Sequence, residues 1–385
     1  NKLTGFLYGW SLFTVIQTGT IAAVGVAFAK FAGYFFPVFE LDEKNCLATI
    51  GIVKLYPAQF LSIAIIFLLT FINTKGVNGG KTIQTMFTFT KILALLALIL
   101  LGFFLAFDVE IWRSNWQNAW QIKQFTKGIG FQHQQGIAIM GLFAAAMVGS
   151  VFSSDAWNNI TFIAGEVKNP QKNIGLGLLL GTGVVTLLYI LTNVMYLGVL
   201  SNDEIAFAAN DRVGVAAASK IFGETGTYIL AALIMISTFG CINGMILSGA
   251  RVYYTMANDG LFFKTAKTLN KHAVPEKALW LQCFWASLLC LSGKYGDLLD
   301  YVVFAVLLFY IVTITGIFKL RITQPNVLRP YKAFAYPYLP ALYIVLAFLL
   351  CIALLVYKPT YTWPGLGIVL LGIPVYYFLQ RKQDV

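Results

Sequence analysis

The residues with most chemistry to offer sit inside an otherwise apolar run, which reads Gly149-Ser150-Val151-Phe152-Ser153-Ser154-Asp155-Ala156-Trp157-Asn158-Asn159. A carboxylate in a membrane span is costly unless it faces a cavity or a partner, so Asp155 is a candidate functional group. Ser153, Ser154, Asn158 and Asn159 can bond the backbone groups that an unwound helix sets free. A helix broken here presents half-helix ends, whose N–H and C=O groups suit the charged ends of a small zwitterion. The plainer alternative is a water-lined polar patch between helices.

Lys91 is the second candidate, because it follows Phe87-Thr88-Phe89-Thr90 and precedes a Leu/Ala run. It lies about ten residues, or roughly 15 Å, into that run. At that depth snorkelling to the surface fails, and a buried, paired lysine is expected. Lys30 lies nearer the end of its own run and is expected to snorkel. Gln17, with Thr18 and Thr20, and Asn243, in Phe239-Gly240-Cys241-Ile242-Asn243-Gly244, are further polar groups in apolar surroundings. Interhelical hydrogen bonding is the first reading for each, and cavity lining the second. His133 and His272 fall in loops, and no His/Asp/Glu cluster has metal spacing. Walker A sequences and nucleophile–base pairs are equally missing. The chain is expected to need no metal or cofactor and to be no enzyme.

Positioning such groups takes long apolar elements, and the composition supplies them. Of 385 residues, 58% are hydrophobic and 11% charged, too little polar cover for an ordinary soluble domain. Apolar runs of helix length recur at 7–36, 57–73, 83–107, 137–166, 174–200, 228–256, 278–291, 298–318, 339–356 and 365–378. The runs are continuous rather than alternating, so the fold class is all-α and not an outer-membrane barrel. Ten transmembrane helices in one domain are expected.

The net charge of +11 is spread over loops without an interleaved aromatic patch, which argues against nucleic acid. Membrane topology explains it better. Taking alternate loops to opposite sides puts sixteen Lys/Arg with the two termini, nine opposite, and Lys30 and Lys91 within spans. By the positive-inside rule both termini are cytoplasmic. Cys46, Cys241, Cys283, Cys290 and Cys351 show no disulfide or zinc spacing. The chain opens at Asn1 without a signal peptide, and a fragment of a longer protein is expected.

Three loop and span features are read as structural. Asn210-Asp211-Arg212-Val213 through Phe222-Gly223 predicts a short outer helix with an acidic start and a glycine stop. Trp112, Trp116 and Trp120 share one helical face, as in an interfacial aromatic belt. Gly175, Gly177, Gly181 and Gly183, and Gly240, Gly244 and Gly249, are expected to let helices approach closely.

At these residues the chain resembles the L-type amino-acid transporters, a branch of the amino acid–polyamine–organocation superfamily. The broken run continues as Ala156-Trp157-Asn158-Asn159-Ile160-Thr161-Phe162-Ile163-Ala164-Gly165-Glu166-Val167-Lys168-Asn169-Pro170, which is similar to the family's sixth helix and its Glu-x-x-x-Pro exit. The third run resembles its fifth helix, with Lys91 at the family's lysine. The stretch 239–254 resembles its eighth helix, and Arg329-Pro330-Tyr331-Lys332 with Gly372-Ile373-Pro374-Val375-Tyr376 resembles the region of the last two.

That resemblance implies a twelve-helix inverted-repeat fold (five plus five), entered here at the third helix, with the first two helices missing from the chain. It implies secondary transport of neutral L-amino acids across the plasma membrane by alternating access, as an exchanger or with protons. Backbone groups around Ser153, Ser154, Asp155 and Ala156 would receive the substrate's amino group, Phe152 would be an aromatic gate, and Trp157 would pack beside the break. Lys91 would stand where related carriers hold sodium, which implies sodium-independent transport. Ser154 and Asp155 replace an aromatic residue and a glycine of many relatives. The position at which animal relatives place a cysteine for an accessory glycoprotein is Phe39, with Cys46 seven residues further on, so no disulfide-linked subunit is expected. The partners expected are the amino-acid substrate and membrane lipid. The alternative from another class is an amino-acid sensor on the same fold, binding without transport.

Overall fold

Long apolar runs leave the backbone few ways to satisfy its polar groups in hydrocarbon, and this chain uses helices. The computed structural model of the protein describes residues 2–381 apart from 51–52, 118, 120, 122, 127–129, 134–135, 137, 210–211, 293–294 and 330. The first helix, α1 (Lys2–Ala32), is followed by a hairpin of β1 (Ala48–Ile50) and β2 (Val53–Leu55). Next come α2 (Pro57–Thr74), α3 (Val77–Leu101), α4 (Val109–Gln117) and a second hairpin, β3 (Lys123–Thr126) with β4 (Gly130–His133). The broken span supplies α5 (Ala138–Ser153) and α6 (Asn159–Phe162), and then α7 (Pro170–Val199) and α8 (Asn202–Ala206). The chain continues with α9 (Val213–Asn258), α10 (Glu276–Ser292), α11 (Tyr295–Thr323), α12 (Tyr338–Tyr357) and α13 (Pro359–Arg381). Both hairpins are antiparallel and confined to loops.

Among the described residues, seven stretches are long and apolar enough to cross a bilayer: α1, α2, Gln84–Ala106, α7, α9, Val302–Thr323 and α12. The other three expected spans fall on α5, α10 and α13, whose apolar stretches are shorter. The outer faces of the bundle carry large exposed apolar side chains such as Phe67, Phe104, Leu179 and Phe348, as contact with lipid requires.

The core is organised around α1. Ile21, Ala22 and Ala23 of α1, Ile66 of α2, Ile242 and Ile246 of α9 and Leu279 of α10 are all fully buried together. Lipid is as apolar as leucine, so close packing and hydrogen bonds rather than escape from water must hold such helices together. The α9 glycines serve that end. A Cβ on Gly240 would lie 2.7 Å from the Phe87 Cβ of α3, and one on Gly249 would lie 2.7 Å from the Gln17 Cγ of α1. The α7 glycines do not behave as expected: a Cβ added at Gly175, Gly181 or Gly183 would have no described atom within 4 Å, and one at Gly177 would meet only Ile160. The physical reason is placement, since α7 is largely uncovered along its length.

Within α9, Gly223 takes φ 69° and ψ −160° and breaks the helix, a backbone state that glycine reaches without a Cβ clash. The expected glycine stop is therefore present, while Asn210 and Asp211 lie outside the described residues. Trp112 and Trp116 stack edge to face on α4 with ring centroids 5.5 Å apart, and Trp120 is outside the described residues, as is Pro330. Ser201 and Glu204 form a capping box at the start of α8. Glu204 also accepts from Lys220 at 2.9 Å, and that bond, with the one from the Ser201 N–H, holds its carboxyl below the ordinary glutamate value.

Candidate functional site

Two local irregularities face each other in the bundle. The first is in α1, where Leu12–Ile16 winds as a π-helix. Such a turn leaves carbonyls without their usual i+4 partners, and here other groups supply them. Trp285 donates from Nε1 to the Thr14 carbonyl at 2.9 Å, the Tyr253 hydroxyl reaches the Leu12 carbonyl at 3.4 Å, and the Thr18 hydroxyl bonds the Phe13 carbonyl at 2.6 Å. π-turns concentrate at functional sites, and this one aims Leu12, Ile16 and Gln17 into a recess.

The second irregularity is the break between α5 and α6. The helix ends after Ser153, whose hydroxyl and that of Ser154 turn back to the Ser150 carbonyl at 3.0 and 2.8 Å. Tyr189 of α7 donates to the Ser153 carbonyl at 2.9 Å. Ala156 then adopts φ 62°, the left-handed region that L-residues enter at a cost of about 1–2 kcal/mol. The turn carries Asp155 toward α11, where the Tyr310 hydroxyl donates to its Oδ1 at 2.5 Å.

Between the two lies a small recess, lined by residues of both. Its apolar lining is Leu12, Ile16, Phe162, Met245, Val306 and Phe309. Its polar groups are Asp155, Tyr8, Tyr310, Gln17, Thr20, Asn158 and Asn159. Tyr8 packs edge to face on Phe309 at 5.5 Å, and Trp157 packs on Tyr310 at 5.6 Å. No lysine or arginine is among the described lining residues. A carboxylate with aromatic neighbours and no resident cation is suited to receive an ammonium group, by charge-assisted hydrogen bonding and by the negative ring faces. Among the described residues no three His, Cys, Asp or Glu come together as a metal would require.

Of the residues singled out in the sequence, Asp155, Ala156, Gln17, Thr20, Asn158 and Asn159 line this recess. Gln17 does so while bridging helices, its Nε2 donating to the Met245 carbonyl at 2.8 Å and to the Ser248 hydroxyl at 3.3 Å. Ser153 and Ser154 belong to the break but not to the lining, and Trp157 stands beside it against Tyr310. Phe152 is half-buried behind the break, packed against two core clusters. Lys91 lies half-buried on α3, close enough to Cys241 of α9 to act on it electrostatically, and away from the recess. Asn243 is fully buried and accepts from Asn73 of α2 at 2.8 Å, also away from the recess. Tyr8 and Tyr310 are the polar lining groups that sequence reasoning passed over. A hydroxyl in mid-span was the available signal at Tyr310.

A sequence profile described as amino acid permease matches residues 1–375. The chain belongs to the amino acid permease family. Among similar proteins, Asc-type amino acid transporter 1 of Mus musculus is 27% identical over 376 residues, covering 97% of this chain and 66% of that protein. Large neutral amino acids transporter small subunit 2 of Homo sapiens is also 27% identical, covering 97% and 65%. The b(0,+)-type amino acid transporter 1 of Mus musculus is 24% identical over 380 residues, covering 98% and 72%. The chain thus spans just under two thirds of the length of the first two. Its resemblance to the L-type branch, drawn from the broken span and the third, sixth and last spans, agrees with these relatives, and the helical bundle agrees with a polytopic permease.

Proposed function

We propose that this permease moves amino acids across the membrane by alternating access, with the recess between α1, α11 and the broken span as its substrate site. The observation that carries this is the placement of Asp155: a half-buried carboxylate at a helix break, bonded to Tyr310 of α11, in a recess with no lysine or arginine among its described lining residues. Relatives named as amino acid transporters support the substrate class. The substrate's ammonium meets Asp155 and the backbone around Ser153, Ser154 and Ala156. Phe152 is the aromatic gate, and Trp157 braces the turn. Lys91 takes the place that sodium holds in related sodium-coupled carriers, so transport does not need sodium. Neutral L-amino acids are the substrates, moved by exchange or with protons, in a plasma membrane with both termini cytoplasmic and without a disulfide-linked subunit.

The test is uptake of radiolabelled L-amino acids into proteoliposomes holding the protein, with and without internal amino acid, a pH gradient and sodium. Uptake that persists without sodium is expected. Binding without flux under every condition would overturn transport in favour of a sensor, and strict sodium dependence would overturn the role given to Lys91.

A further inference from the structure

The Tyr310 hydroxyl donates to Oδ1 of Asp155. An ionised carboxylate has about four lone-pair sites, so this bond leaves room for a ligand's ammonium. What the bond settles is direction. Asp155 sits on a tight turn whose neighbours Ser154 and Ala156 are exposed, and an aspartate there has rotamers that lead out of the recess as well as into it. Tyr310 comes from α11, 155 residues away in sequence, and its bond ties the turn to the opposite wall. The phenol is itself held, with Trp157 against its ring and the Tyr8–Phe309 pair beside it in the same recess. A donor locked in this way orders the carboxylate before any ligand arrives, which lowers the cost of binding.

We propose that Tyr310 is the positioning residue of this recess: its hydroxyl holds the Asp155 carboxylate so that the carboxylate, and not the backbone of the break alone, receives the substrate's ammonium. This rests on the transport function proposed above. It adds that amino-group recognition belongs to a pair of side chains on two helices, so Tyr310 acts through Asp155 and not beside it.

A double-mutant cycle of Tyr310→Phe and Asp155→Asn tests the point in proteoliposomes, after each variant has been shown monodisperse in detergent. The probes are radiolabelled L-alanine, L-leucine and L-lysine, competed by propionate, 4-methylpentanoate and 6-aminohexanoate, which lack the α-amino group. Tyr310→Phe keeps the ring and its contact with Trp157. It is expected to raise KM by about tenfold, the scale of one hydrogen bond to a charged group, with the maximal rate little changed. Discrimination against the deaminated competitors is expected to fall by a similar factor. The double variant is expected to be no worse than Asp155→Asn alone, the signature of two residues acting as one unit. An unchanged KM in Tyr310→Phe, or losses that simply multiply in the double variant, would overturn the proposal while leaving transport intact. A wild-type protein that carries none of the probes would instead overturn the transport function, and this proposal with it. Should Tyr310→Phe not be monodisperse, Tyr310→His, which keeps a ring and a donor, replaces it, with retained discrimination expected and its loss counting against the proposal.

Discussion

Asn73 of α2 donates from Nδ2 to Oδ1 of Asn243 on α9 at 2.8 Å, across 170 residues, and neither side chain is exposed at all. Asn73 also donates to the Leu69 carbonyl one turn back, so its amide nitrogen is spent on structure. Truncating Asn243 would strand one of the two N–H groups of the Asn73 amide in the core. Asn243→Ala is expected to destabilise the protein by about 1–2 kcal/mol, seen as a lower apparent Tm in detergent, with KM for transported amino acids unchanged. A normal Tm with an altered KM would move Asn243 from the scaffold to the site.

Ala156 holds a left-handed backbone, φ 62°, at the point where α5 gives way to α6. Glycine loses the Cβ clash but frees the unfolded chain, so the two effects partly offset. A branched side chain has only the clash. Ala156→Gly is therefore expected to leave stability equal or higher by up to about 1 kcal/mol, and Ala156→Val to lower it by about 1–3 kcal/mol, both read from the apparent Tm. A valine variant more stable than the glycine variant would show that the turn is not strained.

Much of this architecture was legible in the residues and some was not, for reasons that differ by residue. Span positions followed from the length of apolar runs, because hydrocarbon forces backbone bonding within each segment. The break at Ser153 and Asp155 was legible because polar side chains are costly there. Tyr310 was not, since a phenol in an apolar run reads as one more large ring, and its meaning depends on Asp155 lying opposite. The π-turn of α1 was equally hidden: Trp285 and Tyr253 stabilise it from distant helices. The α7 glycines misled because spacing says which residues share a face, but not whether another helix covers that face.

Lys91 and Lys30 are both lysines within apolar helices, but in different settings. Lys91 is half-buried in the middle of its span beside Cys241 of α9. Lys30 is in the last turn of α1, where its carbonyl accepts from Arg212 at 2.9 Å. Lys91→Ala is expected to cut uptake by about tenfold or more, the equivalent of about 1.4 kcal/mol on the transport barrier, and Lys30→Ala much less. Equal and mild effects would show that Lys91 has no part in the cycle.

The cap of α8 carries a pH dependence whose sign follows from Glu204. Bonds from Lys220 and from the Ser201 N–H hold its folded pKa below the ordinary glutamate value. A depressed carboxyl contributes stability above that ordinary value and loses it as pH falls through the folded pKa. The Glu204 N–H, which donates to the Ser201 hydroxyl at 3.3 Å, should therefore stay protected from hydrogen exchange at neutral pH and lose protection in acid, after correction for intrinsic rates. Glu204→Gln is expected to abolish that acid dependence. Retention of it in the variant would assign the effect to another group.

Orientation can be read from one thiol. Cys46 lies in the loop between α1 and α2 and is partly accessible, whereas Cys283, Cys290 and Cys351 are at most 5% exposed and Cys241, also half-buried, lies within the apolar helix α9. The loop falls on the side opposite the two termini if each apolar helix crosses once, and with the cytoplasmic termini proposed above from the Lys/Arg excess that loop would be outside. A membrane-impermeant maleimide added to intact cells is therefore expected to label the protein, and Cys46→Ser to remove the label. Labelling that needs permeabilised cells would place the Cys46 loop in the cytoplasm and both termini outside. The charge asymmetry would then have some other cause, because an inverted protein would carry its larger share of Lys/Arg on the outer face.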